Sequence, residues 1–202
     1  MKTLNHIKYL SLALIIFLAP ACDKKFNDVV DKVKSLGKSS KSTPSSENTA
    51  PKNTIDISPD YASASSSLQS GYGLTYNYQN AFDGDKQTWW SPKGNYYDQW
   101  IQFNFYSPKT IHSIKILNGS HYPSFYYNGV YYGDLYTQNN ILTGVRLEFS
   151  DSRSISINLA VYDGMQTVEF PECTTTFVKV YLQRVIPGRK WKDVCISEVK
   201  FN

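Results

Sequence analysis

The sequence predicts an all-β fold, an antiparallel β-sandwich of about eight strands over residues 57–202. Three observations carry this. Short runs alternate apolar and polar residues with period two, Gly, Pro, Asn, Asp or Ser bounds each run, and no long stretch shows an apolar stripe at helical period. Many short strands with no helices between them bury their inward side chains by packing sheet on sheet. The span is long enough for one domain with a core of its own, and it shows no internal repeat.

The chain begins differently. Lys2 and Lys8 precede an apolar run from Tyr9 to Leu18 and then Ala19-Pro20-Ala21-Cys22. Residues 1–21 read as an export signal, too short to span a bilayer comfortably. A cysteine directly after small residues marks a bacterial lipoprotein, cut before Cys22 and acylated there with palmitate-like chains. Leu18 stands four residues before Cys22 rather than the favoured three, so an ordinary secretory signal stays open. Acyl chains hold such a protein to a membrane at about 0.8 kcal/mol per buried methylene. The expectation is an exported lipoprotein on the outer membrane or cell surface. Asp23 retains lipoproteins at the inner membrane in some bacteria, which leaves the leaflet open.

Residues 22–56 form the lipidated cysteine and its tether. Phe26, Val29, Val30, Val33 and Leu36 fall at roughly helical spacing, but Lys34 to Asn53 is Ser, Lys, Thr, Pro and Asn with little to bury. That segment is expected to stay disordered and to lift the domain off the lipid.

The strand runs then follow. They are 100–105, 111–116, 145–149, 154–159, 167–170, 177–182 and 194–201, each rich in β-branched and aromatic residues. Before the first lies Asn80-Ala81-Phe82-Asp83-Gly84-Asp85-Lys86-Gln87-Thr88-Trp89-Trp90. Two carboxylates, a glycine and a threonine in one tight turn, with Glu198 in the last strand, supply the oxygen ligands that a hard cation such as calcium requires. The plain alternative is a turn at Asp83-Gly84 and a solvated charge at Glu198. Trp89 and Trp90 should face opposite ways, one into the core and one over a surface. Trp100 is expected in sheet packing with Ile101 and Phe103.

Charge and cysteine bound the partners. Lys and Arg number 21 against 17 Asp and Glu, and two of the lysines leave with the signal, so the mature chain is nearly neutral. Nucleic-acid binding needs a concentrated basic face, and none is visible. Besides Cys22 only Cys173 and Cys195 remain, a pair that in an exported protein reads either as a disulfide or as two buried half-apolar residues.

Ala81-Phe82-Asp83-Gly84-Asp85, Thr88-Trp89-Trp90, the strand Trp100-Ile101-Gln102-Phe103, the strand opening Lys109-Thr110-Ile111 and the terminal Ser197-Glu198-Val199 together resemble the discoidin-like, galactose-binding superfamily of jelly rolls. Asn118-Gly119, Phe149-Ser150-Asp151, Pro187-Gly188 and Lys190-Trp191-Lys192-Asp193 before Cys195 look most like the glycan-binding domain type named after the bacterial NAD glycohydrolases that carry it. The resemblance covers nearly all of residues 57–202. It implies a structural calcium held by backbone oxygens of Asn80, Asp85 and Ser197, the side chains of Asp83 and Glu198, and the hydroxyl and backbone of Thr88.

Related modules bind sugars at one end of the sandwich through loop aromatics. A clear copy of that constellation is missing here, but an aromatic insertion runs from His121-Tyr122 to Tyr136. Tyrosines among small polar residues suit adaptable binding loops. The candidate ligand contacts are Trp90, His121, Tyr122, Tyr126, Tyr127, Tyr131, Tyr132, Arg189 and Trp191. The alternative is a β-hairpin over Asn128-Gly129 whose tyrosines pack on one another. A cation on Trp191 would serve equally as a structural contact, and Tyr72, Tyr76 and Tyr78 read as rim packing.

No catalytic residue is assigned. Only His112 and His121 remain in the mature chain, no Ser or Cys comes with a recognisable base, and no phosphate-cradling glycine loop is present. The expected function is a membrane-anchored, non-catalytic module that binds a glycan or glycoconjugate. An adhesin or scaffold for a protein partner is the other class, and lipid head groups a third.

Overall fold

The structure, a computed structural model, describes residues 55–202 other than residue 123. The signal, the Cys22 lipidation and nearly all of the tether lie outside the described residues.

The domain is an antiparallel β-sandwich of eight strands. They are β1 (Tyr61–Ala64), β2 (Trp100–Asn118), β3 (Phe125–Tyr127), β4 (Val130–Gly133), β5 (Ile141–Phe149), β6 (Ser154–Asn158), β7 (Met165–Ile186) and β8 (Ile196–Phe201), with one short helix, α1 (Leu135–Gln138). The order β1-β2-β7-β5-β6 runs across one sheet, β8 pairs with β2, and β3 and β4 form a separate hairpin.

Two long strands build both layers. The first half of β2 (Trp100↔Tyr181 to Asn104↔Phe177) pairs with the second half of β7, and its second half (Ser113↔Glu169 to Leu117↔Met165) pairs with the first. Each strand bends at a bulge, β2 between Asn104 and Lys109 and β7 opposite His112. The bulges contain Pro108 and Pro171, where a missing N–H costs no ladder bond. The four separate runs expected at 100–105, 111–116, 167–170 and 177–182 are therefore two continuous strands. Beyond its bulge β2 also carries β8 (Ile114↔Phe201 to Asn118↔Ile196).

Alternation places Ile101, Phe103, Val178, Val180, Leu182, Val145 and Leu147 from one layer against Ile114, Ile116, Ile196, Val199 and Phe201 from the other. Phe201 sits edge-on to Phe103 and Phe105 at 5.8 and 5.6 Å. A second, smaller core lies at one end, where Tyr76, Trp89, Phe125, Leu135 and Cys195 gather under Leu68, Leu74, Tyr122, Tyr127, Tyr132 and Trp191.

Cys173 and Cys195 are both free and buried. This corrects the disulfide reading. Cys173 packs in the main core opposite Ile111 and Cys195 in the end cluster, so each sulfur is occupied by a different apolar environment.

Candidate functional site: an aromatic end cavity backed by an oxygen-rich loop

The loop is organised by its own side chains. A 3₁₀ turn over Tyr78–Ala81 leads in, and the Asn80 side chain donates to the carbonyls of Thr75 (3.0 Å) and Trp89 (3.2 Å), tying the loop's two ends. Asp83 Oδ1 accepts from Asp85 N–H at 2.9 Å, and Asp85 Oδ1 from Gln87 N–H at 2.8 Å. The Thr88 hydroxyl lies 2.8 Å from Asp83 Oδ2 and 3.0 Å from the Asp85 carbonyl. Gly84 takes φ +85°, a turn conformation that favours glycine.

Trp90 and Ile196 exchange backbone hydrogen bonds of 2.9 and 3.0 Å, which stitches the loop's exit to the start of β8. Glu198 is thereby brought to the loop, where its Oε1 accepts from Gly84 N–H at 2.7 Å. Glu198 is 3% exposed. Burial raises its carboxyl pKa, the Gly84 N–H opposes that, and the neighbouring Asp83 charge raises it further. The side chain of Ser197 is spent on the Gly119 carbonyl at 2.7 Å, and that of Asn80 on its two carbonyls. Either residue could serve a cation only through its backbone. Among the described residues no three His, Cys, Asp or Glu side chains converge. A cation here would rest on the Asp83 and Glu198 carboxylates, with the Thr88 hydroxyl and carbonyl oxygens completing a hard-ligand set. The residues fit that use, because a buried carboxylate beside another negative charge is what a divalent ion relieves.

From this loop the chain runs into the end cavity. About 260 Å³ of space, open to solvent on one side, is lined by Leu68, Tyr72, Leu74, Tyr76, Trp89, Phe125, Leu135 and Trp191, with Ser91, Asn139, Asp193 and Cys195 among them. The walls are aromatic and the polar groups few, the composition of a small-ligand site. Ser91 Oγ is buried without a partner. Burial raises the Asp193 carboxyl pKa. Burial also pushes the Tyr76 hydroxyl up to about 12, with Cys195 and Asp193 adding to it.

The aromatic insertion forms one wall. Asn128 and Gly129 both take positive φ, 49° and 75°, and close the hairpin between β3 and β4. Its inner side packs Tyr127 on Tyr72 (5.1 Å) and Tyr132 on Phe125 (5.9 Å) and Trp191 (5.7 Å). Its outer side leaves Tyr126 and Tyr131 stacked at 4.8 Å and 64% and 56% exposed. The adjoining wall is the loop after β7, clamped by the Asn140 side chain, which accepts from Gly188 N–H (3.0 Å) and donates to the Lys192 carbonyl (2.8 Å).

The candidate residues thus divide. Trp191 lines the cavity, with Tyr132 stacked behind it, and Arg189 is exposed on the same loop. Trp90 is a correction: it is fully buried in the main core, its indole N–H on the Ser66 carbonyl at 2.9 Å, because alternation turns it inward. Trp89 does face the other way, but into the end cluster rather than over an exposed surface. His121 is held between Asp163 (2.7 Å) and the Asn118 carbonyl (3.1 Å), and Tyr122 packs on Phe125 at 5.6 Å. Tyr72 and Tyr76, read as rim packing, line the cavity, as do Leu68, Asp193 and Cys195. Trp100 packs on the outer face of its sheet under Lys179 Nζ at 3.9 Å, while Ile101 and Phe103 point inward.

A sandwich whose first loop is stitched to its last strand defines a discoidin-like β-sandwich domain. The chain belongs to the family described as NAD glycohydrolase translocation F5/8 type C domain, which matches residues 52–202. Solved structures share the fold at low identity. A pectin-binding carbohydrate-binding module is 16% identical with a TM-score of 0.51, covering 72% of this chain and 91% of its own. A family 32 module from Clostridium perfringens in complex with GalNAc-beta-1,3-galactose is 17% identical at TM-score 0.50, covering 70% and 93%. The family 32 module of C. perfringens NanJ in complex with galactose is 15% identical at 0.50, covering 73% and 98%. No curated protein matches the chain.

Proposed function

We propose that this chain is a membrane-anchored, non-catalytic module that takes a glycan into the end cavity. The observation that carries the reading is the cavity itself, where Trp89, Trp191, Tyr72 and Tyr76 supply flat apolar faces and Asp193 and Ser91 supply hydrogen-bonding groups. A sugar ring has this dual character, a C–H face to stack and hydroxyls to pair. The fold neighbours named above hold galactose and GalNAc-beta-1,3-galactose or bind pectin, the same ligand class.

In this reading Asp83, Glu198, Thr88 and the carbonyl oxygens of Asn80, Asp85 and Ser197 would hold Ca2+. Its contribution is positive charge that fastens the loop to β8. The residues around it do the binding: Trp89 lies at the loop's exit and Cys195 immediately precedes β8, the strand that carries Glu198, so two cavity walls adjoin that joint. The anchor is Cys22, acylated after signal cleavage, which keeps the domain on the outer membrane or cell surface.

A glycan array screened with the wild-type chain and Trp191→Ala, with calcium and with chelator, tests the site. Hits should vanish in the variant and weaken on chelation. A bare array with binding to a protein ligand, for which the exposed Tyr126 and Tyr131 offer a surface, replaces the glycan reading with an adhesin. Turnover of NAD or a glycoside would end the non-catalytic one. Labelled palmitate should enter the wild-type chain and not Cys22→Ser, and equal labelling rejects the anchor.

A further inference from the structure

The loop between β7 and β8 carries Arg189, Lys190 and Lys192 within four residues, beside the cavity-lining Trp191. All three cations are exposed, and none of them is in an ion pair among the described residues. Lys190 Nζ sits 4.0 Å from the centre of the Tyr132 ring and 4.7 Å from that of Trp191, so its ammonium is fixed over the aromatic wall.

The carboxylates of this end are committed elsewhere. Asp134 caps α1 through Tyr136 N–H at 3.0 Å, Asp163 holds His121, and Asp193 is set into the cavity wall. The loop is also rigid. Arg189 N–H donates to the Thr137 carbonyl (3.1 Å), and the Lys190 and Trp191 N–H groups to that of Gln138 (3.0 and 2.9 Å). Gly188 is pressed so close that a Cβ there would lie 2.2 Å from the Asn139 carbonyl oxygen. These backbone bonds fix where the side chains leave the loop, so a ligand has only their rotamers to order.

Building on the glycan reading, we infer that the rim formed by Arg189, Lys190 and Lys192 selects an acidic glycan, one whose ring enters the cavity while a carboxylate or sulfate group stays at the mouth. The anion belongs outside because Asp193 occupies the inside. Guanidinium and ammonium donors at a rim recognise both oxyanion types.

The test is calorimetric titration of the full chain with two matched pairs, oligogalacturonate against its methyl ester and sulfated against desulfated galactan oligosaccharide. At least one acidic probe should bind about tenfold tighter than its neutral partner, the scale of one charge-assisted hydrogen bond. The advantage should shrink as salt rises. Which pair shows it distinguishes carboxylate from sulfate. The double variant Arg189→Gln/Lys190→Gln should erase the ratio between acidic and neutral partners, while Lys190→Arg keeps it; an unchanged melting temperature separates lost charge from lost fold. Equal affinity for acidic and neutral members, or an advantage that survives the double variant, overturns the inference and spares the glycan reading. No binding of any probe overturns both.

Discussion

The body of the sandwich and its aromatic end bury side chains by different rules. In the body, alternation along β2, β5, β7 and β8 delivers aliphatic and Phe side chains from both layers into one continuous core. At the end, four segments far apart in sequence each contribute an aromatic or two, and the result is a wall around a cavity rather than a filled space. Sheet ladders fix neighbours at close spacing and allow dense packing. Loops hung from those ladders place large flat rings at angles that leave a gap. The contrast separates a close-packed part from one that leaves space between its rings.

The largest expected effect belongs to the body. Phe103→Ala, which removes a buried ring from contact with Phe82 and Phe201, should cost about 3–5 kcal/mol in denaturant unfolding. Trp191→Ala at the end should cost about 1–2 kcal/mol and abolish ligand binding. Equal stability losses would erase the distinction.

The joint between the regions comes next. Calcium at about 100 times its Kd should stabilise the wild-type chain by about 2.7 kcal/mol and leave Glu198→Gln unmoved. Without metal the sign of the pH effect is fixed. The folded Glu198 carboxyl holds its proton more tightly than the unfolded one, so its contribution is complete below the ordinary Glu range and is lost as pH rises through the raised value. Glu198→Gln should flatten that decline. A wild-type and variant chain with identical pH profiles in chelator would show that the carboxylate is not perturbed.

The smallest effect is on the outer hairpin face. Tyr126→Ala should change stability by no more than about 0.5 kcal/mol, since its ring touches chiefly the equally exposed Tyr131. Its effect on binding separates a cavity ligand from one that drapes over the hairpin.

Much of this arrangement was legible in the residues. Period two marked the inward faces of β2, β5, β6, β7 and β8, and Asp83, Asp85 and Thr88 within six positions marked the turn they cap. The runs 100–105 and 111–116, and 167–170 and 177–182, read as separate strands, yet the intervening Pro108 and Pro171 each fall in a bulge that bends a continuous strand. Strand β1, Tyr-Ala-Ser-Ala, carries no β-branched residue, and only its register against β2 makes it a strand. The cavity could not be read, because Tyr72, Trp89, Phe125 and Trp191 share no local pattern. The same holds for Trp90 and Trp89, whose opposite orientations were foreseeable while the second core awaiting Trp89 was not.

Ile57 and Phe201 exchange backbone hydrogen bonds of 2.7 and 3.0 Å. The domain is thus a nearly closed ring of chain, and a short peptide from 202 to 57 would complete it. Fresh termini cut at the Asn128-Gly129 turn would then free the tyrosine hairpin from its covalent return while every ladder of the sandwich stayed whole. Such a circular permutant would fold around the same core and ask whether the mouth needs an unbroken lip.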